Sequence, residues 1–187
     1  LIARLGALSA SAHLIAMNFA ALVFMVPLGV ASAITTRVGN ALGRGEPEAA
    51  RYAGLIGLLI ILFSQTISAS AMLFFPEFIV RIYTSDAAIS AIAVSLLFYS
   101  AIFQYADGIQ IGAAAALRGL KDTLFTMYIN IISFFLIGLS VGYYLTFSKQ
   151  MGPAGMWIGM IAGLSFAAVL LTGRFLIKSG QLIRTME

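Results

Sequence analysis

The sequence contains no cysteine and a single histidine, His13, among its 187 residues. The first absence excludes disulfides and thiolate metal sites. The second leaves no Ser/His/Asp set, no HExxH zinc motif and no Cys/His cluster to assemble, and only one acid falls inside a long apolar run, so paired-carboxylate chemistry has no candidates either. No enzyme and no cofactor is expected. Charge is also scarce, at 10% Asp, Glu, Lys and Arg, against about 25% in soluble domains. The formal net charge is +4, but the basic residues lie singly between apolar runs instead of forming a patch, which argues against nucleic acid as a partner.

What the sequence has in abundance is apolar length. Hydrophobic residues make up 61% of it and the mean hydropathy is +1.01, so the chain is an integral membrane protein and lipid is its solvent. The fold class expected is all-α, a polytopic transmembrane bundle of five spans over approximately residues 7–38, 48–75, 86–117, 123–147 and 153–178. The first run would be roughly 48 Å long as a helix, against about 30 Å of hydrocarbon, and Pro27 in its second half predicts a bend. The chain opens LIARLGALSA, without an initiator methionine, and its first apolar stretch is too long for a signal sequence. With an odd number of spans, this leads us to expect part of a larger protein.

The residue that stands out is Asp107, within SAIFQYADGIQIGAAAALRG, Ser100 to Gly119. A charge at the centre of a spanning helix costs roughly 2.5–3.5 kcal/mol on insertion scales, so an acid kept there is a candidate functional residue. At about 100° per residue, Ser100, Gln104 and Gln110 fall within about 60° of Asp107, giving this helix a polar seam. Asp107 can bind and release a proton, or its oxygens can join side-chain and backbone oxygens around Na⁺. The bland alternative is a structural hydrogen bond to a neighbouring helix, for instance to Asn18 or Asn130. On the first span Ser11, Asn18, Met25, Gly29, Ser32 and Thr36 share approximately one face, which predicts a stripe turned toward a cavity or a partner helix. The candidate cavity-lining set is therefore Ser100, Gln104, Gln110, Asn18, Met25 and Asn130. Phe24 and Phe103 can add aromatic contacts for lipophilic cations. His13 suits packing better than a proton relay, and Trp157 is expected at a membrane interface.

Between the first two spans, RVGNALGRGEPEAAR reads as a tight loop with solvated charges. Its glycines and arginines lack the GK[ST] of a phosphate cradle. Gly108 and Gly112 either admit a close neighbour or let their helix bend near the carboxylate. Arg37, Arg44, Arg51, Arg118, Lys121, Arg174, Lys178 and Arg184 fall at one end of the bundle, and Arg4, Arg81 and Lys149 at the other. By the positive-inside rule the first group is cytoplasmic, the N-terminus outside and the C-terminus inside.

Three ordered blocks carry a family resemblance. MVPLGVASAITTRVGNALGRGEPEAAR, Met25 to Arg51, resembles the eighth helix and following loop of the multidrug and toxic compound extrusion (MATE) family. QYADGIQIGAAAALRGLKD, Gln104 to Asp122, resembles the tenth helix of its bacterial NorM-like branch. GPAGMWIGMIAGLSFAAVLL, Gly152 to Leu171, is similar to a closing helix. The resemblance implies a twelve-helix antiporter of the bacterial inner membrane, of which residues 1–187 would be helices eight to twelve, an incomplete C-terminal lobe. It implies export of small lipophilic, often cationic compounds, coupled to Na⁺ or H⁺. Asp107 matches the tenth-helix aspartate that binds the coupling ion, so it would be the Na⁺ ligand if Na⁺ is used. The seventh-helix acid and the N-terminal lobe have no counterpart in the chain. Two other readings stand beside the exporter. A lipid-linked oligosaccharide flippase of the related superfamily would call for basic residues inside the cavity, and no mid-span residue is Lys or Arg. A non-transporting scaffold leaves Asp107 without a role.

Overall fold

The computed structural model describes residues 2–186, apart from the side chains of residues 3, 4 and 186. The position expected for the Arg4 side chain thus lies outside the described part. Five helical segments are long and apolar enough to cross a membrane: Ala7–Gly43, Pro47–Phe74, Ala87–Gly119, Thr123–Ser148 and Pro153–Thr185. The first is α1, Ala7–Gly43, and continues unbroken through Pro27 for five residues beyond the end read from hydropathy. The polar residues Arg37 and Asn40 hide its last turns from a hydropathy reading. The second is α2, Pro47–Phe74, opened by proline in its first turn, where a missing N–H costs nothing. The mixed PEFIVR segment forms a short helix of its own, α3, Pro76–Arg81.

The third span, α4, Ala87–Gly119, starts at a true cap: the Asp86 carboxylate accepts from the backbone N–H groups of Ala88 at 2.8 Å and Ile89 at 3.0 Å. The fourth changes pitch along its length. It is α-helical over α5, Thr123–Ile131, widens to π-helical turns over Ile132–Leu139, regains α geometry in α6, Ser140–Tyr143, and widens again over Tyr144–Ser148. The fifth, α7, Pro153–Met186, extends past Lys178 almost to the end of the chain.

Helix α4 is the axle. It packs against α1, α2 and α7, and the run Ala113 to Leu117 is wholly buried because four successive alanines let neighbours close in from every side. Gly108 and Gly112 face α2: a Cβ on Gly108 would stand 2.8 Å from Ile61, and one on Gly112 2.7 Å from Leu58. Of the two expectations for these glycines, the structure shows the close approach. The same device joins the last two spans, where Gly142 and Gly159 meet backbone to backbone and Gly138 lies against Gly163. By contrast, Phe63, Phe74 and Val169 are about 70% exposed or more (70%, 77% and 71%), as suits side chains that meet lipid.

The buried apolar residues form two clusters at different depths. One gathers Ile34, Val38, Ile61, Leu171 and Phe175 around the C-terminal half of α4. The other gathers Ala16, Met72, Leu96, Leu97 and Trp157 around its N-terminal half. Trp157 is 0% exposed. Its indole is held between the rings of His13 and Phe103, inside the bundle.

Candidate functional site

Helix α4 carries Ser100, within the second cluster, and then Gln104, Asp107 and Gln110 between the two clusters, and these polar residues have different surroundings. Gln104 is wholly buried toward α1 and α2. Its backbone carbonyl and its side-chain Oε1 both accept from Gln65 Nε2 of α2, at 2.8 and 2.9 Å. Its own Nε2 donates to the carbonyl of Ala20 on α1 at 3.4 Å. Gln110, also buried, turns to the fourth span and donates from Nε2 to Asn130 Oδ1 at 3.0 Å. Ser100 is wholly buried, and its Oγ has no hydrogen-bond partner among the described residues.

Asp107 differs from all of these. It is half-buried, and it forms neither a hydrogen bond nor an ion pair with any described residue. At about 100° per residue it stands between the α1-facing side of α4, marked by Gln104, and the side marked by Phe103 and Gln110. Phe103, one turn before it, packs edge-on against Trp157 with ring centroids 5.4 Å apart. Trp157 in turn meets His13 at 5.8 Å, also edge-on. None of these rings supplies a hydrogen-bond partner for the carboxylate. Neither asparagine offered as a structural partner reaches it: Asn130 holds Gln110, and Asn18 donates to the carbonyl of Leu14 in its own helix at 2.9 Å.

Ser100, Gln104, Asp107 and Gln110 follow one another over about 15 Å of α4, and the structure joins Gln110 to Asn130 and Gln104 to Gln65. Asn18 and Met25 lie on the exposed face of α1 that also carries Ser32 and Thr36. Gln65, the partner of Gln104, escapes a sequence reading, because in LLIILFSQTISASA it is one of five Ser, Thr and Gln residues spread around the helix with no face singled out. His13 lies in a packed aromatic environment, with its Nδ1 unpartnered and buried.

A second polar group lies at the basic end. The Asp122 carboxylate, just before α5, accepts from Arg174 Nε at 2.9 Å and lies 3.1 Å from Lys178 Nζ, both of α7. Burial acts to raise the Asp122 pKa, but the hydrogen bonds and charges of Lys178 and Arg174 outweigh it and hold the carboxyl below its ordinary range. The Arg174 guanidinium also stands over the Phe125 ring, 4.9 Å from its centroid. Among the described residues, no cluster of three or more His, Asp or Glu forms a metal cage.

Comparison with known proteins places this geometry. The family model described as MatE matches residues 1–144. The chain is 47% identical over 186 residues to a probable multidrug resistance protein NorM of Xanthomonas axonopodis pv. citri, an alignment covering 100% of this chain and 41% of that protein. It is 44% identical over 179 residues to the multidrug resistance protein PmpM of Pseudomonas aeruginosa, covering 94% of this chain and 38% of the relative. Among solved structures, a MATE protein in the bent conformation superposes with a TM-score of 0.88 at 19% identity, over 97% of this chain and 40% of that one. An outward-facing multidrug resistance MATE family transporter of the MOP superfamily gives 0.87 at 19% identity, over 95% and 40%. At that identity the structures establish the fold alone. The chain spans about two fifths of the length of the relatives it matches (41% and 38%).

Proposed function

The chain belongs to the MatE family of membrane transporters, and on that premise we propose that it forms the C-terminal-lobe helices, eighth to twelfth, of a bacterial multidrug exporter in which Asp107 binds the coupling cation. The observation that carries this reading is the isolation of the carboxylate. A structural aspartate inside a membrane bundle is held by a neighbour, because an unpaired charge there is costly. Asp107 has no such neighbour among the described residues, although Gln104 and Gln110 on the same helix are both engaged across to other spans. A carboxylate without a resident partner suits a partner that comes and goes.

Either coupling ion fits. A proton neutralises Asp107 directly. Na⁺ would take oxygens from Asp107 and its surroundings, Gln104 and Gln110 lying one turn to either side on the same helix. An ion entering down its gradient delivers about 2.3 kcal/mol per charge per 100 mV, to which a concentration gradient adds. If ion and drug favour different arrangements of the two lobes, inward movement of one drives export of the other. Substrates of this reading are small lipophilic, often cationic compounds, and the reaction is transport, not catalysis. The orientation that goes with it puts the basic end, with Arg37, Arg118, Asp122 and Arg174, on the cytoplasmic side of the inner membrane.

The test is the Asp107→Asn variant of the full-length transporter in cells or proteoliposomes. Gradient-driven efflux of a cationic dye is expected to disappear while expression and membrane insertion stay intact. Undiminished efflux removes Asp107 from the coupling step. Imposing a Na⁺ gradient and a proton gradient separately on the unsubstituted protein identifies the ion.

A further inference from the structure

Helices α1 and α2 enclose a groove of about 670 Å³ at the basic end of the bundle, within the roughly 300–1,000 Å³ range of ligand clefts. Each helix contributes one stripe at helical spacing: Val30, Ala33, Arg37, Asn40 and Arg44 from α1, and Ala49, Tyr52, Ala53, Ile56 and Ile60 from α2. The stripes are graded. Toward the middle of the membrane the lining is apolar, and toward the α1–α2 turn it becomes cationic and hydroxylic.

We infer that this groove binds an anionic phospholipid of the leaflet at the basic end, with its phosphate at Arg37, Asn40 and Tyr52 and an acyl chain along Val30, Ala33 and Ile56. Three observations carry the assignment. Arg37, Asn40 and Tyr52 make no side-chain hydrogen bond or ion pair with any described residue, so three polar groups converge on one mouth without an internal partner. The acid nearest in sequence, Glu46, is engaged by Arg44 in a two-pronged contact at 3.0 and 2.8 Å, which leaves Arg37 uncompensated. The other acid of the turn, Glu48, is not part of the lining. Finally, the apolar floor matches an acyl chain and gives a free phosphate nothing to hold. Basic grooves between spanning helices near the membrane surface are suited to anionic headgroups on electrostatic grounds alone.

The test is native mass spectrometry of the detergent-purified full-length transporter with phosphatidylglycerol and phosphatidylcholine of matched acyl chains. Phosphatidylglycerol is expected to be retained in preference. Arg37→Ala should weaken it about fivefold, the effect of one surface arginine on an anionic lipid. Ala33→Phe should displace the acyl chain and abolish retention with Arg37 still in place. Arg118→Ala, at the same end but outside the groove, should change little. Because Ala33, Arg37 and Arg118 are all exposed, none of these substitutions removes packing, and helical content by circular dichroism verifies each variant. Equal retention of the two lipids overturns the inference. So does an Arg118→Ala effect as large as that of Arg37→Ala, which would mean diffuse charge only, or full retention by Ala33→Phe.

Discussion

Gln65 on α2 donates through a single Nε2 to both the backbone carbonyl and the side-chain oxygen of Gln104 on α4, at 2.8 and 2.9 Å. Both residues are 0% exposed. The pair ties the two helices together at the depth where the apolar clusters leave a gap, one turn from Asp107. Truncating one partner leaves the other amide buried and under-satisfied, whereas removing both leaves an apolar contact. Gln65→Leu alone is therefore expected to destabilise the protein by about 1–2 kcal/mol. The double variant with Gln104→Leu should lose less than the sum of the singles. Unfolding in mixed micelles, arranged as a double-mutant cycle, measures the coupling, and additive losses would show that the two amides act independently.

The crossing of the last two spans depends on the absence of side chains. Gly142 and Gly159 meet backbone to backbone, and a Cβ on Gly155 would stand 2.6 Å from the backbone nitrogen of Thr146. No flexible side-chain end is available to give way there. Gly159→Ala should therefore cost roughly 1–3 kcal/mol, as overpacking does elsewhere. Gly29, on the exposed face of α1, has nothing within 4 Å. Gly29→Ala should be neutral or stabilising by up to about 1 kcal/mol through helix propensity. Thermal denaturation in one detergent compares the two directly. Equal stability of both variants would count against the crossing.

Acid should act on the bundle through Asp122. Its carboxyl pKa is held down by Lys178 and Arg174, so the folded form binds its proton less readily than the unfolded chain. The stabilisation is fully present above the unfolded value of about 3.9 and is lost as pH falls through the lower folded value. Arg174 is 40% exposed at its side chain while Asp122 is only 10% exposed. This places the interaction at the upper end of partly exposed ion pairs, about 1 kcal/mol. Asp122→Asn should lower stability at pH 7 by about that amount and flatten the fall in stability below pH 4. Melting curves at pH 7 and pH 3 for both proteins check the sign. An unchanged acid dependence in the variant would transfer the effect to another carboxyl.

How much of the fold and of the candidate site is legible in the sequence follows from what lipid does to a chain. The five spans can be read because crossing a bilayer demands an apolar run of about twenty residues, a length that soluble folds rarely sustain. Asp107 and its in-phase neighbours Ser100, Gln104 and Gln110 can be read because polar residues contrast with such a run. The outward face of α1 cannot: lipid is as apolar as a protein core, so hydropathy does not distinguish the face of Ala16 and Ile34 from that of Met25 and Leu22. Asn18 meets its own hydrogen-bonding need at Leu14 and lies exposed. Trp157 is buried because His13 and Phe103 enclose it. The Asp122 contact with Arg174 and Lys178 joins residues more than fifty positions apart, and no local pattern announces it.

Ser100 separates a structural role from a functional one. Its hydroxyl is buried without a partner, and an unsatisfied polar group lowers stability. Thr35, by contrast, is bonded to the carbonyl of Ala115 across α1 and α4 at 3.0 Å. Ser100→Ala should therefore leave stability unchanged or raise it by up to about 1 kcal/mol. Because Ser100 lies seven residues, about 10 Å along the axis, from Asp107, the same change should leave the Na⁺ concentration for half-maximal dye efflux by the full-length transporter unaltered. A destabilised Ser100→Ala protein would mean that the hydroxyl has a structural partner. A stable one with a raised Na⁺ requirement would extend the ion site to Ser100.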